Sequence, residues 1–279
     1  MAFCDLHCHS TYSDGTDTPE ALVQRASEMG LRALALTDHN TVAGLAPFLK
    51  AAEGSGVPPV CGCEFTTVME DRELHIVGLF LPEDKWPEIT ASLEERNRAK
   101  IESNRECADA LERAGYRISY GKLCERFPGV VHNRAHIGQL LMEEGHVSSL
   151  KEAFSTLLRP GSGFYREAPR PYAPKVVRNI VRWGGVAVWA HPPLSAEYDR
   201  IERFLPPLKD AGLDAVETRY STYSMEDIAF MERMAKEHGL LPSGGSDYHG
   251  TRKPGIALGC ANVPEGYWQA LRELARARQ

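Results

Sequence analysis

"DLHCHSTYSDG", Asp5 to Gly15, places two histidines two residues apart, His7 and His9, and a carboxylate, Asp14, five residues after the second. Three groups of metal-ligand type thus fall within eight residues, directly behind the first short apolar run. Ala2 to Leu6 reads as a strand. Residues two apart on a strand share a face, so His7 and His9 point together and Cys8 points away. What this cluster means depends on what the rest of the chain brings beside it.

Outward from there the pattern alternates. Thr18 followed by Pro19 is a helix N-cap and first helical residue, and Leu22, Val23, Ala26 and Met29 follow at helical spacing up to Gly30. "LRALALTDHN" reads as a second strand, Thr41 to Glu53 as a helix, "VPPVCGCEFTT" and "ELHIVGLF" as the third and fourth strands. From about Leu93 to Pro174 the rhythm changes to helices and loops, with Asn133 and Ser148 placed to cap two helices and "RPGSGFYREAPRPYAP" as a Pro/Gly loop. Alternation then resumes through "GGVAVWAH", "LDAVET" and "LLPSGGSD" to a final helix. Strands alternating with helices point to a parallel sheet covered by helices. About seven such strands fit a barrel better than an open sheet, though periodicity leaves both open. The domain reading is residues 1–92 and 175–279 as one α/β body, with 93–174 inserted as a helical subdomain.

Bulk properties narrow the function classes. The chain has 279 residues, 43% hydrophobic and 25% charged, which suits a cored domain and not disorder. A net charge of −6 argues against coating nucleic acid by bulk charge, but not against a local cationic pocket. No apolar run is long enough for a membrane span and no signal peptide is visible, so a cytoplasmic protein is expected. The seven cysteines, with Cys4, Cys8, Cys61 and Cys63 in short apolar segments, read as free thiols in a reducing compartment.

The partners of the first cluster lie at successive strand ends. His39 ends the second strand, Glu64 lies near the end of the third, His75 is in the fourth, His191 ends "VAVWAH", and Asp247 and His249 stand in "GGSDYHG". In parallel α/β folds the C-terminal strand ends share one rim, where active sites assemble. Six histidines and three carboxylates converging there point to a metal centre.

These stretches carry a family resemblance. "DLHCHSTYSDG", "ALTDHNTVAGL", "GCEFT", "LHIVGLF", "AVWAHP" and "GGSDYHG" resemble the PHP (polymerase and histidinol phosphatase) phosphoesterases along almost the whole chain. "NRAHIGQLLMEEG" and "LLRPGSGFY" resemble the insertion of the subgroup acting on nucleotides and small phosphorylated metabolites. The resemblance implies a distorted seven-stranded TIM-like (β/α) barrel holding two or three divalent metals. It sorts the ligands into His7, His9, Glu64 and Asp247; Glu64, His75 and His191, with Glu64 bridging; and Asp14, His39 and His249.

The donor chemistry agrees with that sorting. Imidazole and carboxylate without thiolate suit manganese, iron or zinc. Paired metals can share a hydroxide that attacks phosphorus, and they screen the anionic phosphate. Glu64, Asp247 and His191 are therefore the expected catalytic residues. Asp38, beside His39, is a candidate to support a ligand, or simply a polar residue at a helix start. In the insertion Arg134 and His136 open the helix capped by Asn133, where an anion is favoured, and are expected to clamp phosphate opposite the metals. Tyr12, Ser10 and Tyr165 are further substrate-binding candidates.

The expected activity is hydrolysis of a small phosphorylated molecule: a nucleotide, a sugar phosphate, a cyclic ester, an oligonucleotide end or histidinol phosphate. The rival readings are a C–N hydrolase, which also opens with HxH but typically bridges its metals with a carboxylated lysine absent from the third and fourth strands here, and a non-catalytic PHP module of the kind attached to polymerases.

Overall fold

The computed structural model describes residues 3–279, so Ala2, the first residue of the first expected strand, lies outside it. In chain order the elements are β1 (Phe3–Cys4), α1 (Pro19–Glu28), β2 (Leu34–Leu36), α2 (Leu45–Ala52), β3 (Pro59–Met69), β4 (Arg72–Leu79), α3 (Trp86–Arg113), α4 (Tyr120–Arg126), α5 (Arg134–Glu143), α6 (Leu150–Ser155), α7 (Ala173–Arg182), β5 (Val186–Ala190), α8 (Pro192–Ser195), α9 (Tyr198–Asp210), β6 (Ala215–Tyr220), α10 (Met225–Glu237), β7 (Leu241–Gly245), β8 (Val263–Pro264) and α11 (Glu265–Arg276). They fall into two compact units, one running up to Ala91 and resuming at Pro171–Gln279, the other Ser92–Arg170.

Local chemistry sets the element ends. The Thr18 hydroxyl accepts the Ala21 N–H and Pro19 fills the first turn of α1, which buries Leu22, Val23 and Ala26. Helix α2 starts at Leu45, later than the Thr41 expected. The Thr41 hydroxyl accepts the Ala43 N–H in a local turn that competes with helix.

The first unit is built on a curled, mixed sheet of six strands in the order β2-β3-β4-β5-β6-β7. The expectation of a parallel sheet is corrected at β4, which is antiparallel to both β3 and β5. Only Glu70 and Asp71 separate β3 from β4, and Glu70 adopts φ 51° to close the turn. A two-residue hairpin forces antiparallel pairing, whereas a parallel return needs a long crossover. Reversal has a consequence for His75. It lies in the first half of β4, opposite Ala190 at the C-terminal end of β5, so it reaches the rim where its neighbours end.

Residues 5–9 hydrogen-bond to both edges of this sheet. On one side Asp5 N donates to Ala33 O at 3.0 Å and Thr37 N to Cys8 O at 3.0 Å. On the other Leu6 N donates to Gly244 O at 3.2 Å and Asp247 N to His7 O at 2.8 Å. The two edge strands therefore flank the very segment that carries His7 and His9. Below it, Leu6, Ala35, Val77, Val188 and Ala215 pack with Trp268 and Leu271 of α11 in one apolar cluster. These strand residues precede the rim ligands in sequence, or follow His75 in the reversed β4, and so form a dry floor under them.

The second unit has its own core, in which Leu111 and Ile118 pack with Leu123, Ile137, Leu141 and Leu158. Asn133 caps α5 as expected, but α6 is capped by Ser149, while Ser148 is held by the Glu152 carboxylate.

Close backbone approach explains the "GG" of "GGSD". A Cβ at Gly245 would overlap the backbone of His7. Gly245→Ala is expected to cost about 1–3 kcal/mol, a drop of roughly 3–10 °C in Tm for a domain of this size. A melt within a degree of wild type would show that the two strands separate freely.

Candidate metal centre

Glu64 is fully buried and takes five imidazoles around one carboxylate. Its Oε2 lies 3.2 Å from His7 Nε2, 3.1 Å from His9 Nε2 and 3.0 Å from His39 Nδ1. Its Oε1 lies 2.7 Å from His75 Nδ1 and 3.1 Å from His191 Nε2. Asp247 Oδ1 approaches His9 Nε2 at 3.1 Å and His249 Nδ1 at 3.3 Å. Asp14 Oδ1 stands 3.3 Å from His249 Nε2 and 3.9 Å from His39 Nε2.

The nine expected ligands therefore stand together on the first unit. Three groups have donor atoms within 4.8 Å of one another: His7, His9, Glu64 and Asp247; His39, Glu64 and His75; and His9, Asp14, His39 and His249. The first group coincides with the expected set. In the second His39 takes the place expected for His191, and in the third His9 joins.

The residues fit divalent cations on an observation of their own. Glu64 Oε2, His39 Nδ1 and His75 Nδ1 are buried and make no hydrogen bond, although each has a potential partner within reach. Their lone pairs converge on shared space and not on one another. His7 Nε2 and His9 Nε2 likewise meet at 3.1 Å. Borderline dications with imidazole and carboxylate donors satisfy such a cage.

Protons alone serve it poorly. Burial opposes charge on His75, yet Glu64 beside it wins and pushes the imidazole up to about 10. His9 is likewise pushed up to about 9 against burial, by Asp247 and Glu64. Burial carries His39 the other way, down to about 3, with His9 and His75 adding repulsion. Against burial, His39, His75 and His7 hold the Glu64 carboxyl well below its ordinary range. Five rings around one carboxylate cannot all be protonated, and divalent cations would relieve the conflict.

The expected substrate-binding residues are placed as follows. Ser10 is buried, and its hydroxyl donates to Asp38 Oδ2 at 2.6 Å while its N–H donates to Oδ1. Asp38 also accepts the Ser13 hydroxyl, so it holds the loop carrying Tyr12, which is exposed. In the second unit the Arg134 guanidinium lies over the Phe154 and Tyr165 rings. Tyr165 is buried and its hydroxyl accepts from Lys100. His136 is buried, and its Nδ1 accepts the Asn133 N–H in a capping box.

Several supporting residues escaped the sequence reading. Asp5 accepts N–H groups from His7, Ser246 and Gly259, tying the first segment to the last loop. Asp247 Oδ2 accepts from the Tyr220 hydroxyl at 2.6 Å and the Lys253 ammonium at 2.5 Å. Glu217 is buried beside His7. No spacing marks Lys253, which follows "GGSDYHG" in a loop. Glu217 and Tyr220 are masked for a different reason. The β6–β7 register shifts between Glu217 and Arg219, so residues three apart both turn inward where a plain period of two would part them.

A profile of the PHP domain matches residues 5–167. The chain belongs to the PHP domain family. A 5'-3' exoribonuclease of Haemophilus influenzae is 34% identical over 248 residues, 88% of this chain and 89% of the relative. A 3',5'-nucleoside bisphosphate phosphatase of Chromobacterium violaceum is 32% identical over 266 residues, 93% of this chain and 91% of that one. A solved structure from Bifidobacterium adolescentis, described as a metal-dependent phosphoesterase, superposes with a TM-score of 0.88 at 26% identity, covering 98% of this chain and 96% of its own. This PHP protein is a metal-dependent phosphoesterase. Among the described residues no helix is long and apolar enough to cross a membrane.

Protein never exposed to chelator is expected to carry about two or more divalent ions per chain by elemental analysis. Less than about one, with no uptake from added Mn²⁺, would argue that the cage holds protons. Glu64→Gln should stay folded yet keep less than about a tenth of wild-type turnover, since it loses a charge shared by five ligands.

Proposed function

We propose that this PHP protein hydrolyses the phosphate ester of a small phosphorylated metabolite, with nucleotides, sugar phosphates and cyclic phosphate esters as the substrate class. The observation that carries this is the shared carboxylate. Glu64 ties neighbouring ligand groups together, and with His39, His75, His191 and Asp247 it lines a cavity of ≈ 420 Å³ that also presents Arg72 and Lys253. Such a volume takes a nucleotide-sized ligand. Two or three divalent ions, manganese, iron or zinc, are the cofactors in this reading. When bound they supply a water of lowered pKa and positive charge for the phosphoryl oxygens.

The chain's own residues do the rest. Glu64 and His191 hold and orient the donor set, Asp14, His39 and His249 complete it, and Asp247 sits between the ligand cluster and the Lys253 ammonium in the cavity wall. That carboxylate stands well below its ordinary range against burial, because of Lys253, His249 and His7, and so stays ionised. The finer fold belongs to the same reading. Residues 5–9 act as a seventh, irregular strand completing a distorted barrel, and residues 93–174 are a helical subdomain inserted into it. Free thiols at all seven cysteines support a cytoplasmic setting.

The relative named as an exoribonuclease favours a second reading, in which the phosphate belongs to the end of a short oligonucleotide. A product screen on manganese-reconstituted protein, reading free phosphate from monoesters, the ring-opened monoester from cyclic esters and released nucleotide or phosphate from oligonucleotides, separates the two. Its panel is nucleoside mono- and bisphosphates, sugar phosphates, cyclic esters, histidinol phosphate and 5'-phosphorylated oligonucleotides. No hydrolysis product from any of them would overturn the proposal.

Arg134 is proposed as a substrate-phosphate contact, supported by its place at the capped start of α5 with Tyr165 and Phe154 stacked against it. His136, Tyr12, Ser10 and Tyr165 are further substrate-binding residues in the same proposal. Arg134→Ala should leave metal content unchanged and lower kcat/KM roughly 10- to 150-fold, the loss of one charge-assisted bond of about 1.5–3 kcal/mol. Arg134→Lys should recover part of it, keeping charge without the fork. Equal kcat/KM in all three proteins would remove Arg134 from the site.

A further inference from the structure

We infer that Glu217 is a positioning residue that ties two metal ligands from different strands into one unit. The inference rests on the metal-dependent reading above and goes beyond it to a residue outside the ligand set.

Glu217 lies on β6 and its side chain is essentially buried. Each of its oxygens has one partner. Oε1 accepts from His7 Nδ1 at 2.8 Å, and Oε2 accepts the backbone N–H of His191 at 2.7 Å. A carboxylate accepts, so the first bond requires the proton on His7 Nδ1. That leaves His7 Nε2 with its lone pair turned to Glu64 Oε2, 3.2 Å away. A ring nitrogen must be unprotonated to bind a metal, and the hydrogen bond at the other nitrogen decides which one is.

The second bond acts on backbone. His191 adopts φ 33° and ψ 53°, the left-handed region that a non-glycine residue avoids. Its Pro192 neighbour already restricts the conformations open to it. This turn lets the ring leave the end of β5 and bring Nε2 to 3.1 Å from Glu64 Oε1. The Glu217 carboxylate takes up the N–H that the turn would otherwise leave buried and unpaired. Strain held at a site by its surroundings is what an over-determined ligand looks like.

The two effects converge. Glu217 stands behind His7 and His191, Glu64 stands in front, and the two imidazoles stack between them with centroids 5.7 Å apart. The irregular register just past Glu217 also brings Tyr220 inward onto Asp247. Removing one carboxylate therefore loosens His7 and His191 at once, and the losses should appear together.

The test uses the full chain, wild type and Glu217→Gln, with manganese alone as probe. An amide can accept from one of the two N–H donors but sets its own NH₂ against the other. Chelator competition should show Mn²⁺ held roughly 10- to 100-fold more weakly by the variant, the usual cost of losing such a partner. Nitrogen-15 spectra of the metal-free proteins should show His7 protonated at Nδ1 in wild type and losing that preference in the variant, which a purely structural role would not move. Manganese binding within threefold of wild type, with an unchanged His7 tautomer, overturns the inference. If Glu217→Gln does not fold, Glu217→Asp decides. It keeps both acceptors one methylene back, so weaker manganese binding supports the role and wild-type binding overturns it. Failure of the wild type itself to take up manganese would instead count against the metal-dependent reading.

Discussion

A carboxylate with no access to water is costly unless opposite charge surrounds it, and Glu64 is in that position. Five ring nitrogens lie within 3.2 Å or less of its two oxygens. Those rings come from the first segment, the loop after β2, β4 and the end of β5, so the constraint spans the curled sheet. The sheet must bring four distant stretches to one point, and the apolar cluster beneath them keeps water from reaching the charge from below. The antiparallel β4 belongs to the same requirement. By reversing direction, a strand joined to β3 through two residues sets His75 opposite Thr66, two residues along from Glu64, and its Nδ1 reaches Glu64 Oε1 at 2.7 Å.

Much of this could be read from the residues, because the ligand types are rare and their spacing follows the strands. His7 and His9 share a face by the period of two, and "AVWAH" and "GGSD" each carry a donor just past the end of a readable strand, whereas Glu64 of "GCEFT", expected near a strand end, stands midway along β3. Helix starts were legible where a side chain caps the backbone, as at Thr18 and Asn133. Strand direction was not legible in the same way. The turn at Glu70 and Asp71 contains no glycine or asparagine, so a connection that fixes antiparallel pairing carried none of the usual signals.

The supporting residues were hidden by different physics. Glu217 and Tyr220 sit three apart in a strand whose irregular register turns both inward, and a periodic reading separates them. Asp5 stands in the opening motif itself, yet its work is done through the N–H groups of residues some 240 positions away. Nothing local announces that. Asp38 and Ser10 were both legible as candidates, but not the bond between them, in which the Ser10 hydroxyl donates to the carboxylate that shapes the loop.

The same crowding that makes the cage attractive to cations makes it sensitive to protons. Binding a dication requires every imidazole donor to give up its proton at the coordinating nitrogen. Against burial, the Asp247 and Glu64 carboxylates raise the proton affinity of His9, and Glu64 that of His75, so in a metal-free cage protons compete with a dication for these imidazoles. His39 and His249 are depressed and offer free lone pairs. Cation entry would displace protons from imidazoles of raised proton affinity, so its free energy depends on pH through them. As pH falls the protons compete better and the cations weaken, while Glu64, Asp14 and Asp247 stay ionised because their carboxyls are held low. The carboxylates set the charge of the cage, and the imidazoles decide which cations, protons or metals, balance it.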